Sequence, residues 1–379
     1  MQAVSSLPPE ERLPLIERAR RLVLGGAPEG TPAPVEHFIL KSWQRCLQRG
    51  YSPDSPVAFD AVPAAAMRRV HDASQPLRSA ARPVIERLAR AIAGTRYFAI
   101  LTDATGVVVD VEGEIDRQDR RATALARIGV DLSETAVGTT AIGAALTELQ
   151  PVWLHRGEHF FRDTGMYTCA GAPVFGPDGR CAGMLDLTGI DVAERPQLRH
   201  LADASARAIG NRLVQALPHA LALWINWPGG VGNHEQDGLI CLDSEGVVTG
   251  CNPTARQILG IVPSGTTAQA RLHASDLFAM PWPMLFDAAR RGTGPVDVPL
   301  WSGFQVQAVA MLSGPCDADN TGAPGVARLP LRDLEHSLIR QAVQQARGNV
   351  AEAARTLGIS RATVYRKLGV RQPPAADKS

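Results

Sequence analysis

Residues 349–368 read NVAEAARTLGISRATVYRKL, and almost every position in this stretch has a recognisable physical role. Asn349 can cap a helix together with Glu352 three residues later. Gly358 allows a tight turn, and Ser360 is a good N-cap for a second helix. The stretch therefore predicts two short helices joined by a turn, the arrangement with which many proteins enter the major groove of DNA.

The apolar residues of this stretch mark the buried sides of both helices. In the first helix they follow the spacing i, i+3, i+4 and i+7, which forms one stripe, and they are Val350, Ala353, Ala354 and Leu357. In the second helix Val364 and Leu368 share the inward face. An amphipathic pattern upstream predicts a further helix that packs on this pair and supports a dimer; its apolar residues are Leu331, Leu334, Leu338 and Ala342.

The outward side chains and the charge balance are suited to DNA. The predicted DNA contacts are Asn349, Ser360, Arg361, Thr363, Tyr365, Arg366 and Lys367. Residues 328–371 contain eight Arg and one Lys against three acidic residues, a balance of +6, whereas the whole chain carries +1. A basic module on an acidic body is expected of a DNA-binding tail. Composition alone would equally allow a helical hairpin with a solvated arginine face.

The spacing of these residues also resembles that of a known family. Residues 334–368 closely resemble the Fis-type helix-turn-helix at the C-terminus of many bacterial transcription regulators, which implies binding to double-stranded DNA. The matching residues are Arg347, Gly348, Asn349, Ala353, Ala354, Leu357, Gly358, Ile359, Ser360, Arg361, Thr363, Tyr365, Arg366, Lys367 and Leu368. One departure is that Gly369 and Val370 follow directly where the family usually carries further basic residues, so a weaker backbone contact is expected there.

The scarcity of lysine excludes one class of site. The three lysines of the chain are Lys41, Lys367 and Lys378. A phosphate loop of the Gly-x4-Gly-Lys-Ser/Thr kind needs a lysine to reach the terminal phosphates of a nucleotide. No such loop can therefore lie between residues 42 and 366, and the sequence predicts no ATPase there. A length of 379 residues suits two or three domains.

Other features predict a cytoplasmic protein. No apolar stretch approaches the roughly 20 residues that span a bilayer, because Pro218, His219 and Asn226 interrupt the run over residues 216–227. Residues 1–20 lack the apolar core of a signal peptide. The six cysteines form no Cys-x-x-Cys pair, so free thiols in a reducing compartment are expected.

Strand and helix signals alternate between residues 85 and 217. Residues 97–102 and 107–111 predict a hairpin with its turn at 103–106, and residues 168–175 and 181–187 predict a second with its turn at 176–179. Helices are expected over 133–149 and 197–217. An antiparallel sheet covered by helices, with a loop over one face, is a common design for a small-molecule pocket.

Several motifs in this region closely resemble the sensor domain, a GAF domain, of the acetoin-catabolism-regulator (AcoR-type) family. They are residues 133–146 (SETAVGTTAIGAAL), Pro151-Val152, Glu158-His159-Phe160, residues 169–174 (CAGAPV) and residues 183–189 (GMLDLTG). Residues 40–46 (LKSWQRC), followed by Gly50-Tyr51-Ser52-Pro53, also resemble the opening segment of that family. The resemblance covers roughly residues 36–217 and 330–368. It implies a transcription regulator whose GAF domain senses a small effector.

The middle of the chain departs from that family. The resemblance implies a central AAA+ ATPase that acts on polymerase carrying the nitrogen-type sigma factor, but this sequence has residues 236–312 in its place. Residues 237–259 predict a strand, a turn, a strand and a helix that begins near Asn252-Pro253, which resembles the opening of a PAS domain. Residues 305–312 are a candidate later strand. An irregular α+β linker domain is the alternative.

The predicted fold class is a multidomain α+β protein with a GAF-type antiparallel sheet and helices, a PAS-like α+β domain and a C-terminal all-α Fis-type helix-turn-helix. The predicted domains are an N-terminal helical segment (1–84), the GAF-like sensor (85–217), a linker (218–234), the PAS-like domain (235–313), a flexible linker (314–329) and the DNA-binding domain (330–371).

The predicted effector contacts lie on the motifs of the sensor. They are Thr140, His159, Phe160, Tyr167, Cys169 and Asp186. Thr140 stands where the AcoR-type motif usually has asparagine, so ligand specificity is expected to differ. Each residue also has a plainer interpretation as part of the core, as a loop hydrogen-bonder or as a strand anchor. A small organic effector is expected, with no cofactor and no metal.

A redox or metal site is the rival interpretation of part of this set. His155, His159, Cys169 and Cys181 are residue types that bind metals or act as reactive thiols. The two histidines fall in a predicted loop, however, and no acid-base pair or nucleophile motif accompanies them. The sequence therefore predicts a protein that is not an enzyme.

The function predicted from these patterns is a ligand-responsive, homodimeric transcription regulator without ATPase activity. Its expected partners are double-stranded DNA, a small effector and RNA polymerase, with no membrane. The alternative is a modulator that associates with an intact AAA+ relative.

Overall fold

A computed structural model of the chain describes residues 9–25, 35–232, 234, 236–261, 272–292 and 294–313, together with Ala354. The chain divides into two units, residues 1–315 and 316–379. The described part of the first unit contains two five-stranded antiparallel sheets. None of the helices in these ranges is both long and apolar enough to cross a membrane.

The first sheet has the order β2-β1-β5-β4-β3. Its strands are β1 (Tyr97–Asp103), β2 (Val108–Gly113), β3 (Val152–His155), β4 (Tyr167–Phe175) and β5 (Cys181–Ile190). Both predicted hairpins are confirmed, because β1 and β2 pair directly and so do β4 and β5. We call the part of the chain from Pro9 to Gln215 the first module.

Helices cover both faces of this sheet, which explains why most residues of β1, β3, β4 and β5 are buried. The helices of the first module are α1 (Pro9–Leu24), α2 (His37–Gln48), α3 (Ala64–Ala73), α4 (Gln75–Ala91), α5 (Arg120–Leu125), α6 (Glu134–Val137), α7 (Ala141–Glu148) and α8 (Leu198–Gln215). Helices α4 and α8 pack on one face of the sheet, and α1, α2 and α7 share the core on the other.

The boundary at residue 84 predicted that the N-terminal helices form a segment of their own. In the structure they do not. Helix α4 runs across that boundary, and Trp43 of α2 is fully buried in the core of the first sheet. The physical reason is the amphipathic pattern of these helices, whose apolar stripes need a partner surface. The sheet supplies it.

The single helix predicted over residues 133–149 is two short helices, α6 and α7. They separate at Gly138, which has a φ of 67° in the left-handed region. A Cβ atom there would lie 2.7 Å from the Phe161 ring, so glycine also permits close packing of the loop that follows β3. The break turns the start of α7 towards the sheet.

The second sheet has the order β8-β7-β6-β10-β9, and we call the part from Leu221 to Leu312 the second module. Its elements are β6 (Leu221–Asn226), β7 (Gly238–Leu242), β8 (Val248–Cys251), α9 (Pro253–Leu259), α10 (Ala274–Leu277), α11 (Pro283–Arg291), β9 (Val296–Pro299) and β10 (Gln305–Leu312). The strand-turn-strand-helix succession after Asp237 and the strand over residues 305–312 are both present, as predicted.

Strand β6 differs from the prediction, because its residues lie in the stretch assigned to a linker. It is the central strand of the second sheet and pairs with both β7 and β10. Its first five residues are buried, and a continuous apolar run is typical of a strand with both faces covered. Five residues separate it from α8.

A joint of hydrogen bonds and apolar packing connects the two modules; Val214 of α8 packs on β6 and β7. The turn between β4 and β5 contacts the start of α9, where the Pro177 carbonyl accepts hydrogen bonds from the backbone N–H of Cys251 (3.2 Å) and the Arg256 guanidinium (3.0 Å). Beside it, the Asn252 amide donates to Asn211 Oδ1 of α8 at 2.8 Å. The hairpin that forms the middle of the first sheet thus touches the second module directly.

Candidate functional site

A narrow cavity lies in the first module between the sheet and the start of α7. The free space between its lining atoms is about 330 Å³, including the part that opens towards solvent. Most of its wall is apolar or aromatic, and the residues that line it include no arginine or lysine. They are Phe59, Ile100, Leu125, Leu132, Thr140, Ala141, Ile142, His159, Thr164, Tyr167, Cys169, Asp186 and Thr188.

The pairing of β4 with β5 brings the polar residues of the cavity wall next to one another. Cys169 on β4 is the cross-strand partner of Thr188 on β5, and Asp186 lies two residues before Thr188 on the same face. The Cys169 sulfur lies 3.5 Å from Thr188 Oγ1, and the Thr188 hydroxyl donates a hydrogen bond to Asp186 Oδ2. These three side chains form a short hydrogen-bonded row across the floor of the cavity.

Asp186 is the most unusual group in this row. Its side chain is fully buried, and Oδ1 has no hydrogen-bond partner among the described residues. Burial raises the pKa of Asp186 to about 7, although the hydrogen bond from Thr188 acts in the opposite direction. At neutral pH the carboxyl group therefore carries a proton for a large part of the time, and it can then donate a hydrogen bond into the cavity.

His159 contributes the complementary group from the loop over the sheet. Its Nδ1–H donates to the Arg156 carbonyl at 2.9 Å, which leaves Nε2 as a buried acceptor that no described residue satisfies. Burial lowers the pKa of His159 to about 4, so the ring is neutral at physiological pH. The cavity wall thus includes one buried donor and one buried acceptor that have no partner among the described residues.

Two arginines of α1 hold the loop that carries His159. Arg12, which is 1% exposed, makes two hydrogen bonds of 2.8 Å to Glu158 and also contacts Glu194. Arg20 donates to the backbone carbonyls of Gly157 (2.8 Å), His159 (2.5 Å) and Phe160 (2.9 Å). Burial raises the pKa of Glu158 to about 7, against the opposing influence of Arg12.

Five of the six predicted effector contacts line the cavity. They are Thr140, His159, Tyr167, Cys169 and Asp186. The Thr140 side-chain oxygen also caps α7 by accepting from the Gly143 N–H at 3.1 Å. Phe160 does not line the cavity; its ring is fully buried and packs edge-on against Phe161 at 5.0 Å between centroids. The loop turns so that its two neighbouring aromatic rings fill the core.

Sequence reasoning missed several residues of the wall. Thr188 could have been found, because a residue two positions from Asp186 on one strand shares its face. Thr164 and Phe59 carry no such signal, because Thr164 lies in a short 3-10 turn and Phe59 in an extended segment without periodicity.

The four residues of the rival redox or metal site do not form one cluster, although His159 and Cys169 both line the cavity. His155 pairs with Thr168 across the strands and donates to or accepts from its hydroxyl at 2.9 Å, which places it on the opposite face of the sheet from Cys169. Cys181 lies at the far end of the hairpin, opposite Phe175. In the described ranges no group of three His, Cys, Asp or Glu side chains could hold a metal ion.

The predicted DNA contacts lie outside the described residues. This applies to Asn349, Ser360, Arg361, Thr363, Tyr365, Arg366 and Lys367. Of the predicted first helix, Ala354 is described, and it is helical and buried as its place in the apolar stripe predicts.

Comparison with family models identifies both ends of the chain. The model described as MimR, N-terminal domain, matches residues 16–211, which is more than half of the 379 residues and includes the whole cavity wall. The chain belongs to this family. Residues 330–369 match the model for bacterial regulatory proteins of the Fis family, so this MimR-type chain carries a Fis-type helix-turn-helix and is related to transcription regulators.

Individual relatives agree with the family. The acetoin catabolism regulatory protein of Cupriavidus necator is 28% identical over 59% of this chain and 34% of its own length. MimR, the propane 2-monooxygenase operon transcriptional activator of Mycolicibacterium smegmatis, is 34% identical over 48% of this chain and 30% of its own length. The chain thus spans about a third of the length of these relatives.

A solved structure also resembles the chain. The E. coli DhaR(N)-DhaL complex matches with a TM-score of 0.45 and 16% identity, over 74% of this chain and 100% of that chain.

Proposed function

We propose that this protein is a ligand-responsive transcription regulator that binds DNA as a dimer through its Fis-type helix-turn-helix. The first module is its GAF-type sensor and the second its PAS-like module, and the chain works without an ATPase of its own, in the cytoplasm. The observation that carries the sensing role is the cavity, in which two fully buried polar atoms, Asp186 Oδ1 and His159 Nε2, find no protein partner in the described ranges. Buried polar groups normally have partners, so a ligand that supplies both is favoured.

The chemistry of the wall limits the ligand. Because no arginine or lysine lines the cavity, an anion would lose its hydration without gaining a counter-charge. A protonated Asp186 donates and His159 accepts, so the proposed ligand is a small uncharged molecule with one acceptor and one donor, such as a hydroxy ketone. The name of the C. necator relative makes acetoin the first compound to test.

The joint between the modules offers a route from the ligand to the second module. Strands β4 and β5 carry Cys169, Asp186 and Thr188 at the cavity, and the turn that joins them contacts Cys251 and Arg256 of the second module. A ligand that shifts these strands would move this turn. The proposed response is a shift between two populated conformations that present the helix-turn-helix differently.

The function as a whole is tested by selecting genomic DNA fragments on the purified full-length protein at moderate salt, with and without acetoin, and sequencing what is retained. A two-fold symmetric site whose retention depends on acetoin is the expected result. No enrichment under either condition would exclude autonomous DNA binding and favour a modulator that needs an AAA+ relative as its partner.

Arg361→Ala is expected to weaken binding to the selected site by about 1–3 kcal/mol and to relax the sequence preference, since an arginine that contacts bases contributes to both. Arg340→Ala, a change in the predicted upstream helix, is the matched control. Fluorescence anisotropy on the selected site and on a scrambled site measures both effects. Equal affinity and preference in the Arg361 variant would remove this residue from the base contacts.

His159→Ala is expected to weaken acetoin binding roughly tenfold, the effect of losing one hydrogen bond to the ligand. Calorimetric titration with acetoin, and with butan-2-one, which lacks the hydroxyl group, measures it. The variant should lose the preference for acetoin, because the proposed partner of His159 is the ligand hydroxyl. A His159 variant that still prefers acetoin would show that this histidine does not contact the hydroxyl.

A further inference from the structure

Two arginines of helix α1 contact the loop over the cavity, and their charged guanidinium groups are buried. Arg12 and Arg20 are 1% and 7% exposed. Buried arginines are rare unless they are paired, and both here are directed at residues 157–160. The side chains of Ile16 and Arg20 pack closely on Gly157. A Cβ atom on Gly157 would lie 3.2 Å from the Ile16 side chain and 3.4 Å from the Arg20 side chain.

The loop needs this support, because its own conformation is unfavourable. Arg156 has a φ of 48°, in the left-handed region that costs a residue with a side chain about 1–2 kcal/mol. The carbonyl oxygens of Gly157, His159 and Phe160 accept from Arg20, and the carbonyl oxygen of Glu158 accepts from the Trp43 indole at 2.9 Å. A strained backbone conformation persists only where contacts with the surrounding structure hold it in place.

We propose that Arg20, with Arg12 beside it, is a positioning residue for ligand binding, and that α1 is a strap that holds His159 in the cavity wall. The two arginines are not among the residues that line the cavity; they act through the loop that carries His159. Arg12 lies before residue 16, where the match to the family model begins. The inference rests on the proposed function in one respect, namely that the cavity binds a ligand.

The first experiment needs no ligand. The pKa of His159 is measured by NMR titration in the full-length protein, in Arg20→Ala and in Arg21→Ala, the exposed neighbour on the same helix. We expect a value near 4 in the wild type and in Arg21→Ala, and a value close to the ordinary 6.5 in Arg20→Ala, because the ring becomes solvated and also loses the nearby Arg20 charge, which lowers its pKa. Arg20→Lys keeps a charge at this position, so a raised pKa in that variant reports solvation of the ring alone. A pKa that stays depressed in Arg20→Ala would overturn the proposal.

The second experiment separates positioning from general loss of stability. Acetoin affinity is measured for His159→Ala, Arg20→Ala and the double variant. His159→Ala is expected to cost roughly tenfold in the wild-type background and less than about twofold in Arg20→Ala, because His159 has already left the wall there. Equal costs in both backgrounds would show that Arg20 does not act through His159. Circular dichroism of each variant checks that it is folded.

The two experiments also separate this inference from the proposed function. If wild-type protein binds no acetoin, the proposed ligand class fails, while the titration of His159 still decides whether α1 holds the loop. If acetoin binds and the pKa of His159 is the same in all three proteins, the sensing role stands and the strap is wrong. Arg20→Lys keeps the charge but cannot reach three carbonyls. The pKa of His159 in this variant should lie between the values in wild type and in Arg20→Ala.

Discussion

Asp186→Asn is expected to make the protein more stable at pH 7 and above. The folded pKa of Asp186 is raised from 3.8 to about 7, so the folded state keeps a proton that the unfolded state releases at pH 4. Because of this group, the free energy of unfolding decreases as the pH rises from about 4 to about 7. Above pH 7 the decrease stays constant. Asparagine resembles the protonated carboxyl and has no proton to lose. The gain over wild type can reach about 4 kcal/mol.

The measurement is urea unfolding of both proteins between pH 4 and pH 8, expressed as the difference in free energy of unfolding. The difference should be near zero at pH 4 and grow until about pH 7. His155 and His159, with pKa values lowered to about 3 and about 4, reduce stability as pH falls below 6.5, but they do so in both proteins and cancel in the difference. Asp54→Asn is the control, because that side chain is 69% exposed. A difference that does not change with pH would mean that Asp186 is ionised in the folded protein.

Asn252→Ala is expected to destabilise the protein by roughly 3 kcal/mol. Its Oδ1 accepts from the N–H groups of Leu239 (2.9 Å) and Ala255 (2.8 Å), and its Nδ2 donates to Asn211 (2.8 Å) and to the Asp237 carbonyl (3.0 Å). The side chain is 5% exposed. Alanine removes the N-cap of α9 and leaves buried polar groups without partners, and each of these changes costs on the order of 1 kcal/mol or more.

Asn252→Asp separates the cap from the joint between the modules. Aspartate keeps both accepted hydrogen bonds but loses both donations, including the one to Asn211 on α8. We expect a smaller loss of stability than in Asn252→Ala, together with separate thermal transitions for the two modules where the wild type shows one. A single transition with unchanged midpoint in the aspartate variant would show that this hydrogen bond does not couple the modules.

Local features of the fold could be predicted because local residues specify them. The turns at 103–106 and 176–179 contain glycine and aspartate at turn positions, and both hairpins are where these residues place them. Asn252, followed by Pro253, marks the start of α9. Cys169 and Asp186 were predicted from the motifs that contain them, and in the structure they lie on adjacent strands at positions that share a face.

Features that depend on contacts between residues far apart in the chain could not be predicted from the sequence. Nothing near Arg12 indicates that it pairs with Glu158, because that contact depends on how α1 packs on a sheet that begins at Tyr97. The glycines and polar residues after Trp227 suggested a linker, yet residues 221–225 are buried because β7 and β10 are the neighbours of β6 in the sheet. Phe160 was placed in the cavity from its motif, whereas the direction of its ring is set by Phe161 and the turn before it.

The central place of β6 has a consequence for synthesis of the chain on the ribosome. The first sheet has all its strands once Ile190 has been made, so the cavity in the first module can close early. The second sheet cannot, because β6 lies between β7 and β10, and β10 ends at Leu312. Domains generally fold as the nascent chain emerges, N-terminal first. Until translation reaches residue 312, one edge of β6 has no neighbour, and a complete first module is tethered to an incomplete second sheet.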